Sequence, residues 1–307
     1  MIDEQMAVFI GSGLRLAVPI IFAATGEMLS ERAGVLNLSL DGMMLMSAFT
    51  AALASWATGS PLLGVAAGVL VAMAVAAVQA VLSVTLRANQ LVVGIGFNIL
   101  ALGTTTFLYR EIFGPLSRDP IPGFAQLNLP WIASIPVIGP ALANQTGLAY
   151  VSILMVVVTW LILKYTSFGL AVRAVGEDPR AADKAGISVA RTRYLGVLYA
   201  GVLAGLGGAF MSVADSNTFT ENMTKGAGYL AITAVIFGGW NPWYTLAACL
   251  LFGFATALQF LMPALQLDVP VALLLLLPYL LALVAIAGFV GKSRQPSALT
   301  IPFERGG

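Results

Sequence analysis

We select seven of the polar residues that lie in or beside long apolar segments of this sequence, and their types limit the chemistry that they can do. They are Glu27, Asn37, Ser39, Asp41, Asn98, Thr105 and Gln259. Polar side chains at membrane depth are costly unless they are paired or face a cavity. Amides, hydroxyls and carboxylates form hydrogen bonds with small polar solutes without making covalent bonds. We expect these residues to line a translocation path for such a solute. The alternative for each is a hydrogen bond between helices or a helix cap.

The sequence lacks the residues that most catalytic and metal sites require. It has no histidine, and its single cysteine, Cys249, lies in an apolar run. These facts exclude Ser-His-Asp and Cys-His catalysis, imidazole zinc sites and CxxC sites. Residues 286–293 end like a phosphate-binding loop, but Ile286 occupies the position of the first glycine. We therefore expect no catalytic residue, no metal ligand and no cofactor bound by this chain.

The composition is that of a polytopic membrane protein. The chain is 59% hydrophobic and 9% charged, whereas a typical soluble domain is roughly 25% charged. Its net charge of +1 argues against a nucleic-acid partner. The first residues, MIDEQ, lack the basic region of a signal peptide, so we expect the first apolar segment to remain as a membrane span.

Apolar segments long enough to cross a membrane predict an all-α polytopic fold in a single domain, residues 1–307, with about nine (eight to ten) transmembrane helices. The spans are expected near 6–28, 42–58, 62–86, 91–113, 147–165, 194–213, 226–240, 243–262 and 269–290. Residues 114–146, which contain six prolines, are predicted to form an exterior loop.

The distribution of basic residues predicts the orientation. Residues 173–193 hold five of the fifteen Lys and Arg residues, and short basic loops stay in the cytoplasm. This places the loop 168–193, Arg87 and the tail beyond Lys292 in the cytoplasm. The N-terminus is then outside and the C-terminus inside.

The order of the spans predicts two inverted repeats, about 6–113 and 194–290. In each, a span is followed by an irregular polar stretch, 30–41 or 215–225, and then by a short helix rich in small residues. Inverted repeats of this kind build a solute path at their interface. The alternative is a coincidence of hydropathy.

The segment RAVGEDPRAADKAGISVARTR, residues 173–193, contains signals for a short helix. Asp178 is a good N-cap, Pro179 suits the first helical position, and Gly186 supplies a left-handed stop after residues 180–185. A helix this short is marginal alone in water, so we expect it to be docked. The alternative is a solvated loop that only orients the protein.

Two stretches resemble a known family. GEDPRAADKAGI (176–187) is similar to the cytoplasmic coupling segment of ABC-importer permeases of the branched-chain amino acid, simple sugar and nucleoside type. LSERAGVLNLSLDGMMLMSAF (29–49) resembles the bacterial nucleoside permeases in particular. The resemblance implies a bacterial inner-membrane permease subunit of an ATP-driven importer, with nucleosides as the expected solute.

The resemblance also implies partners. A separate ATPase chain would bind ATP and Mg and would contact a coupling set on this chain. The set is Glu177, Asp178, Pro179, Arg180, Ala181, Ala182, Lys184 and Gly186. A second, related permease chain and an extracytoplasmic substrate-binding lipoprotein complete the importer.

Three alternatives remain open. The first is a permease of the same type for simple sugars or another small polar solute. The second is an ion-coupled secondary transporter, which needs carboxylates in the middle of spans, whereas Glu27 and Asp41 lie at expected helix ends. The third is a membrane enzyme, for which the chain offers little chemistry.

Overall fold

The computed structural model describes residues 2–114, 120–127, 138–264, 276–281, 283–284 and 295–304. This part of the chain is mainly helical and contains no β-strand, which confirms the predicted all-α fold. The helices are α1 (Ile2–Arg32), α2 (Leu40–Thr58), α3 (Pro61–Ala80), α4 (Gln90–Phe113), α5 (Ile138–Ala143), α6 (Gly147–Tyr165), α7 (Ser167–Glu177), α8 (Pro179–Lys184), α9 (Val189–Phe210), α10 (Ala227–Phe237) and α11 (Pro242–Ala264). Helices α3 and α9 each continue into one π-helical turn, Val81–Thr85 and Met211–Asp215.

Six helical segments of the described residues are long and apolar enough to cross a membrane. They are Met6–Arg32, Leu40–Thr58, Pro61–Thr85, Gln90–Phe113, Gly147–Tyr165 and Val189–Asp215. Helix α11 has 23 residues, which is also long enough for a membrane span. The predicted span 269–290 and the loop-like segment 286–293 lie largely outside the described residues. The structure agrees with a multi-pass membrane protein.

Three sequence-based boundaries need correction. Helix α1 continues to Arg32, so the first irregular stretch covers 33–39 rather than 30–41, and Asp41 lies in the first turn of α2. Helix α9 begins at Val189 rather than near 194. The predicted loop also contains α7, whose first turn is capped by the Thr166 hydroxyl, an acceptor from Gly169 N at 3.0 Å.

The segment 226–240 is too short to cross a membrane as one helix. Its helix, α10, has 11 residues, which corresponds to about 16 Å at 1.5 Å per residue, against roughly 30 Å for a bilayer core. Gly226, with φ +80°, precedes the helix, and the turn 238–241 ends it. Helix α10 is therefore a half-helix whose N-terminus lies inside the protein.

The packing is centred on α1 and α9, which contact each other over much of their length. Helix α1 also packs against α10 and α11, while α9 packs against α2 and α3. Gly205 makes the α9–α3 contact close, because a Cβ there would lie 2.8 Å from Val69 Cα. Each central helix thus packs on two consecutive helices of the other half. The inverted repeat remains a prediction that this packing supports.

Charged and polar contacts define two ends of the molecule. At one end, which we call the α8 end, Gly34, Gly176 and Arg193 bond to residues 298–301. The other end is called the cavity end, after the cavity described below. There Arg15 pairs with Asp215 at 3.1 Å. Arg110 there donates two hydrogen bonds to Glu221, at 2.7 and 3.0 Å, and these hold the pKa of the Glu221 carboxyl below its ordinary value.

Candidate functional site

The N-termini of α2 and α10 meet at one carboxylate. Asp41, in the first turn of α2, accepts a hydrogen bond from Gly228 N at 3.0 Å through Oδ1 and from the Thr224 hydroxyl at 3.1 Å through Oδ2. Its side chain is buried, with 9% of the residue exposed. A Cβ on Gly228 would lie 2.6 Å from Asp41 Cα, so this approach requires glycine. A negative charge shared by two helix N-termini is stabilising because both carry positive partial charge.

Asn98 of α4 fixes the same junction from a third side. Its Oδ1 accepts from Gly42 N at 2.8 Å, and its Nδ2 donates to Leu38 O at 2.8 Å and to the Tyr229 hydroxyl at 2.6 Å. These bonds join α4 to the irregular stretch, to the first turn of α2 and to α10. The two donors and the acceptor of the amide are all engaged, so Asn98 acts as a structural clamp in this conformation.

Glu27, Asn37 and Ser39 are fully buried and shape the irregular stretch 33–39. Glu27 Oε1 accepts from Asn37 N at 2.7 Å. Asn37 Oδ1 accepts from Ser39 N at 3.1 Å and from the Ser39 hydroxyl at 2.5 Å. These bonds replace the helical ones that the stretch lacks, which is how a broken helix satisfies its backbone within a membrane.

Thr105 is fully buried in α4, and its hydroxyl donates to Ala101 O of the same helix at 2.7 Å. It does not line the cavity described next. In this conformation, the expected path residues therefore form two groups. The first group bonds to other parts of the helix framework and comprises Glu27, Asn37, Ser39, Asn98 and Thr105. The second group is Gln259, which lines the cavity, and Asp41, which adjoins it through Thr224.

A cavity of about 570 Å³ opens beside the junction, within the range of roughly 300–1,000 Å³ that small-molecule sites occupy. It is enclosed by α1, the π turn 211–215, residues 216–227 and α11. Gln259 lines it together with Thr256, one turn away on α11. Thr224 lines it as well, and because Thr224 donates to Asp41, the cavity adjoins the helix junction.

The cavity walls also contain charges and hydroxyls that sequence reasoning did not select. The Arg15–Asp215 pair joins α1 to the end of α9 at this wall. Arg15 stood out as a charge within the first span, but its partner is 200 positions away and nothing local identifies it. The additional polar wall residues are Ser216, Thr218, Thr220, Lys225 and Tyr279. Four of them belong to the irregular stretch 215–225, which the repeat pattern predicts. This pattern was therefore the sequence signal that could have identified them.

The short helix predicted in the basic loop is present as α8, Pro179–Lys184. Asp178 Oδ1 accepts from Arg180 N at 2.9 Å and from Ala181 N at 3.0 Å. At the other end Gly186 has φ +85° and donates to Asp183 O, while Ile187 N donates to Ala182 O. This is the Schellman pattern of helix termination. Both caps thus form as predicted, and the helix starts at Pro179 as expected but ends at Lys184, one residue earlier than predicted.

Helix α8 is docked on its own chain through one side. Ala182 is 4% exposed and packs with Val175 and Val189. The remaining members of the coupling set point outward or are partly covered. Glu177, Asp178, Arg180, Ala181, Lys184 and Gly186 are exposed, and Pro179 is half-buried. The set therefore forms a small exposed surface at the α8 end, about 40 Å from the cavity along the 27 residues of α9 and its π turn.

No group of three or more Cys, Asp or Glu side chains within the described ranges is arranged to hold a metal ion. Hydrogen bonding to a solute and docking of a partner are the two activities that the geometry offers.

Comparisons with known proteins agree with this architecture. Residues 9–286 match the family model described as branched-chain amino acid transport system / permease component. The chain is 38% identical to the guanosine ABC transporter permease protein NupQ of Bacillus subtilis, with 99% of each chain covered. It is 33% identical to the nucleoside ABC transporter permease protein NupC of Lactococcus lactis, with 96% of each covered.

A third relative is the putative glucose ABC transporter permease protein TsgC13 of Haloferax volcanii. It is 38% identical over 80% of this chain and 75% of the relative. The comparison with solved structures finds no match. The family resemblance read from residues 29–49 and 176–187 is confirmed: the chain belongs to the family of branched-chain amino acid transport system permease components.

Proposed function

We propose that this chain is a permease subunit of an ATP-driven importer for nucleosides, located in the bacterial inner membrane. The observation that carries the proposal is the similarity over 99% of both chains to a guanosine permease. The glucose-permease relative covers less of both chains, which makes a sugar the second candidate.

The chemistry of the cavity suits an uncharged solute rich in hydroxyls and amide-like ring edges. Gln259 and Thr256 offer an amide and a hydroxyl from adjacent turns of α11. Two of the three charges at the wall, Arg15 and Asp215, are paired with each other at 3.1 Å, and the third is Lys225. Hydrogen bonds to neutral groups contribute only about 0.5–1.5 kcal/mol each. A few of them allow selective binding and also release.

Partners follow from the same proposal. The exposed side of α8 would dock an ATPase chain, which would bind ATP and Mg. More distant matches include a second guanosine permease, NupP, in Bacillus subtilis and a second nucleoside permease, NupB, in Lactococcus lactis. A related second permease chain is accordingly part of the proposal, as is an extracytoplasmic binding lipoprotein. The α8 end would face the cytoplasm and the cavity end the outside, with the N-terminus outside.

The coupling would be mechanical. Helix α8 packs through Ala182 onto Val189, the first residue of α9. Helix α9 and its π turn then run without interruption to Asp215 at the cavity wall. Movement of α8 on closure of the ATPases would be transmitted along this helix, and the Arg15–Asp215 contact would respond to it.

The proposal is tested in the host cell after its other nucleoside uptake has been deleted. Deletion of this gene should abolish uptake of radiolabelled guanosine, and the wild-type gene should restore it. Loss of glucose uptake with normal guanosine uptake would instead support the sugar permease. Purification in mild detergent should recover an ATPase and a second permease with the tagged chain, and their absence would contradict the importer.

A variant pair tests the docking surface. Ala181→Trp adds bulk to the exposed side of α8, away from the buried Ala182, and should prevent ATPase co-purification and uptake. Ala57→Trp is the control, because Ala57 is also an exposed alanine and lies in the last turn of α2, away from α8. Equal ATPase recovery from the two variants would reject α8 as the docking site.

A further inference from the structure

Residues 295–304, which we call the strap, cross the α8 end of the molecule and bond to three separate elements. Ala298 N donates to Gly176 O of α7 at 2.8 Å. Thr300 N donates to Gly34 O, just beyond α1, at 3.3 Å. Ile301 O accepts from Arg193 Nη1 of α9 at 3.0 Å. The hydropathy of this segment predicts a polar tail, whereas its backbone is tied to α1, α7 and α9.

Side chains of the strap reinforce the attachment to α7 and α8. The Ser297 hydroxyl donates to Glu177 Oε2 at 3.0 Å. Phe303 packs against the cluster of Val175, Ala182 and Val189, the same cluster on which α8 is docked. Glu304 pairs with Arg87, but both side chains are exposed, and such pairs contribute little. The apolar contact of Phe303 is therefore the main side-chain link between the strap and α8.

Because of Arg193, removal of the strap would carry a large free-energy cost. Only 2% of the residue is exposed, and its Nε and Nη2 atoms have no hydrogen-bond partner among the described residues. The bond from Nη1 to Ile301 O thus compensates a buried cation that is otherwise poorly satisfied. Burying a charge without partners carries a large free-energy cost. Loss of the strap would expose this guanidinium to solvent or leave it buried without its hydrogen bond to Ile301 O.

The backbone of the strap is strained at one residue. Thr300 has φ +65°, a region that β-branched residues rarely adopt. Strained backbone of this kind persists where surrounding contacts determine it. Gly34, with φ +89°, allows the approach, because a Cβ there would lie 3.1 Å from Ala298 O.

We propose that the strap is a positioning element for coupling, which fastens α7 and α8 to the ends of both central helices, α1 and α9. Without it, α8 would be a six-residue helix with one buried side chain, that of Ala182. With it, a displacement of α8 moves the ends of α1 and α9 together, and the far parts of these helices carry Arg15 and Asp215 at the cavity. The role of the strap in coupling rests on the proposed function. The fastening of α7 and α8 to α1 and α9 does not depend on it.

The fastening is tested on the purified permease alone, by hydrogen exchange of the peptide that covers residues 179–187. Phe303→Ala removes the ring from the cluster around Ala182, and the amides of Ala182 and Ile187 should exchange at least tenfold faster. Ile301→Ala is the matched control, because its side chain is 54% exposed and its carbonyl bond to Arg193 is retained. Equal exchange in Phe303→Ala and wild type would overturn the proposal.

The coupling role is tested in the assembled importer. Phe303→Ala should leave ATPase co-purification intact and reduce nucleoside uptake and solute-stimulated ATP hydrolysis at least fivefold, while Ile301→Ala stays at the wild-type level. Wild-type uptake by Phe303→Ala would reject the coupling role. Failure of the wild-type complex itself to transport nucleosides would reject the proposed function instead, and the hydrogen-exchange result would still decide the fastening.

Discussion

Asp41 and Gly228 are 187 positions apart in the sequence and are joined by a hydrogen bond of 3.0 Å from the glycine N–H to the carboxylate. Asp41 lies in the first turn of α2 and Gly228 in the first turn of α10. The two predicted repeat halves therefore contact each other through the N-termini of α2 and α10. The cavity adjoins this contact through Thr224.

Asp41 should stabilise the junction by its charge and by its hydrogen bonds separately. Asp41→Asn removes the charge but keeps an acceptor for Gly228 N, at an expected cost of up to about 2 kcal/mol. Asp41→Leu also removes the acceptors of Gly228 N and Thr224, which adds about 1–3 kcal/mol. Thermal unfolding in detergent should rank wild type above Asn and Asn above Leu. The assignment fails if the Leu variant unfolds at the wild-type temperature.

Gln259 should contribute to solute binding rather than to folding. Gln259→Leu keeps the size of a half-buried side chain at the cavity and removes its polar end. We expect normal abundance in the membrane and a KM for nucleoside uptake raised about 2- to 10-fold, the effect of one neutral hydrogen bond. Gln79→Leu is the control, because Gln79 bonds to Ser83 of the adjoining π turn and does not line this cavity. An unchanged KM in Gln259→Leu would remove Gln259 from the path.

Asn98 should behave in the opposite way. Asn98→Leu leaves the partly buried Gly42 N and Leu38 O and the exposed Tyr229 hydroxyl without their partner. A fully buried unsatisfied group costs about 1–3 kcal/mol, and we expect these to cost less each. Protein abundance and uptake should therefore fall together. Tyr229→Phe breaks one of the three bonds and should have a smaller effect. If Asn98→Leu accumulates normally and yet transports nothing, Asn98 belongs to the path, as the sequence analysis expected.

The orientation is checked with single cysteines in a Cys249→Ala background. Thr58→Cys lies at the exposed end of α2 and Ser188→Cys at the exposed start of α9. An impermeant thiol reagent applied to intact cells should label position 58 and spare position 188. The reverse pattern would invert the proposed topology.

Local signals in the sequence were sufficient for most helices and for α8. The span predicted at 147–165 coincides with α6, because hydropathy changes sharply at both of its ends. The caps of α8 form as expected, since Asp178, Pro179 and Gly186 act on backbone groups within a few residues of themselves.

Contacts between distant residues were not accessible to the same reasoning. Hydropathy is continuous across 226–240, and the short length of α10 becomes evident only from the contact between its N-terminus and Asp41. Arg193 reads as a solvated charge, but the strap, more than 100 positions later, buries it. The three partners of Asn98 on other elements cannot be read from its neighbours in the sequence. Its place in the path stays a prediction.

The meeting of two helix N-termini at one carboxylate determines the net charge of the junction. Each N-terminus carries the equivalent of about +0.5 elementary charge, so an ionised Asp41 balances the pair. A junction that is neutral as a whole offers an ion no compensation for the water it must leave, and that desolvation cost is several kcal/mol or more. An uncharged solute does not meet this cost. The charge balance of the junction is thus compatible with the proposed passage of an uncharged solute.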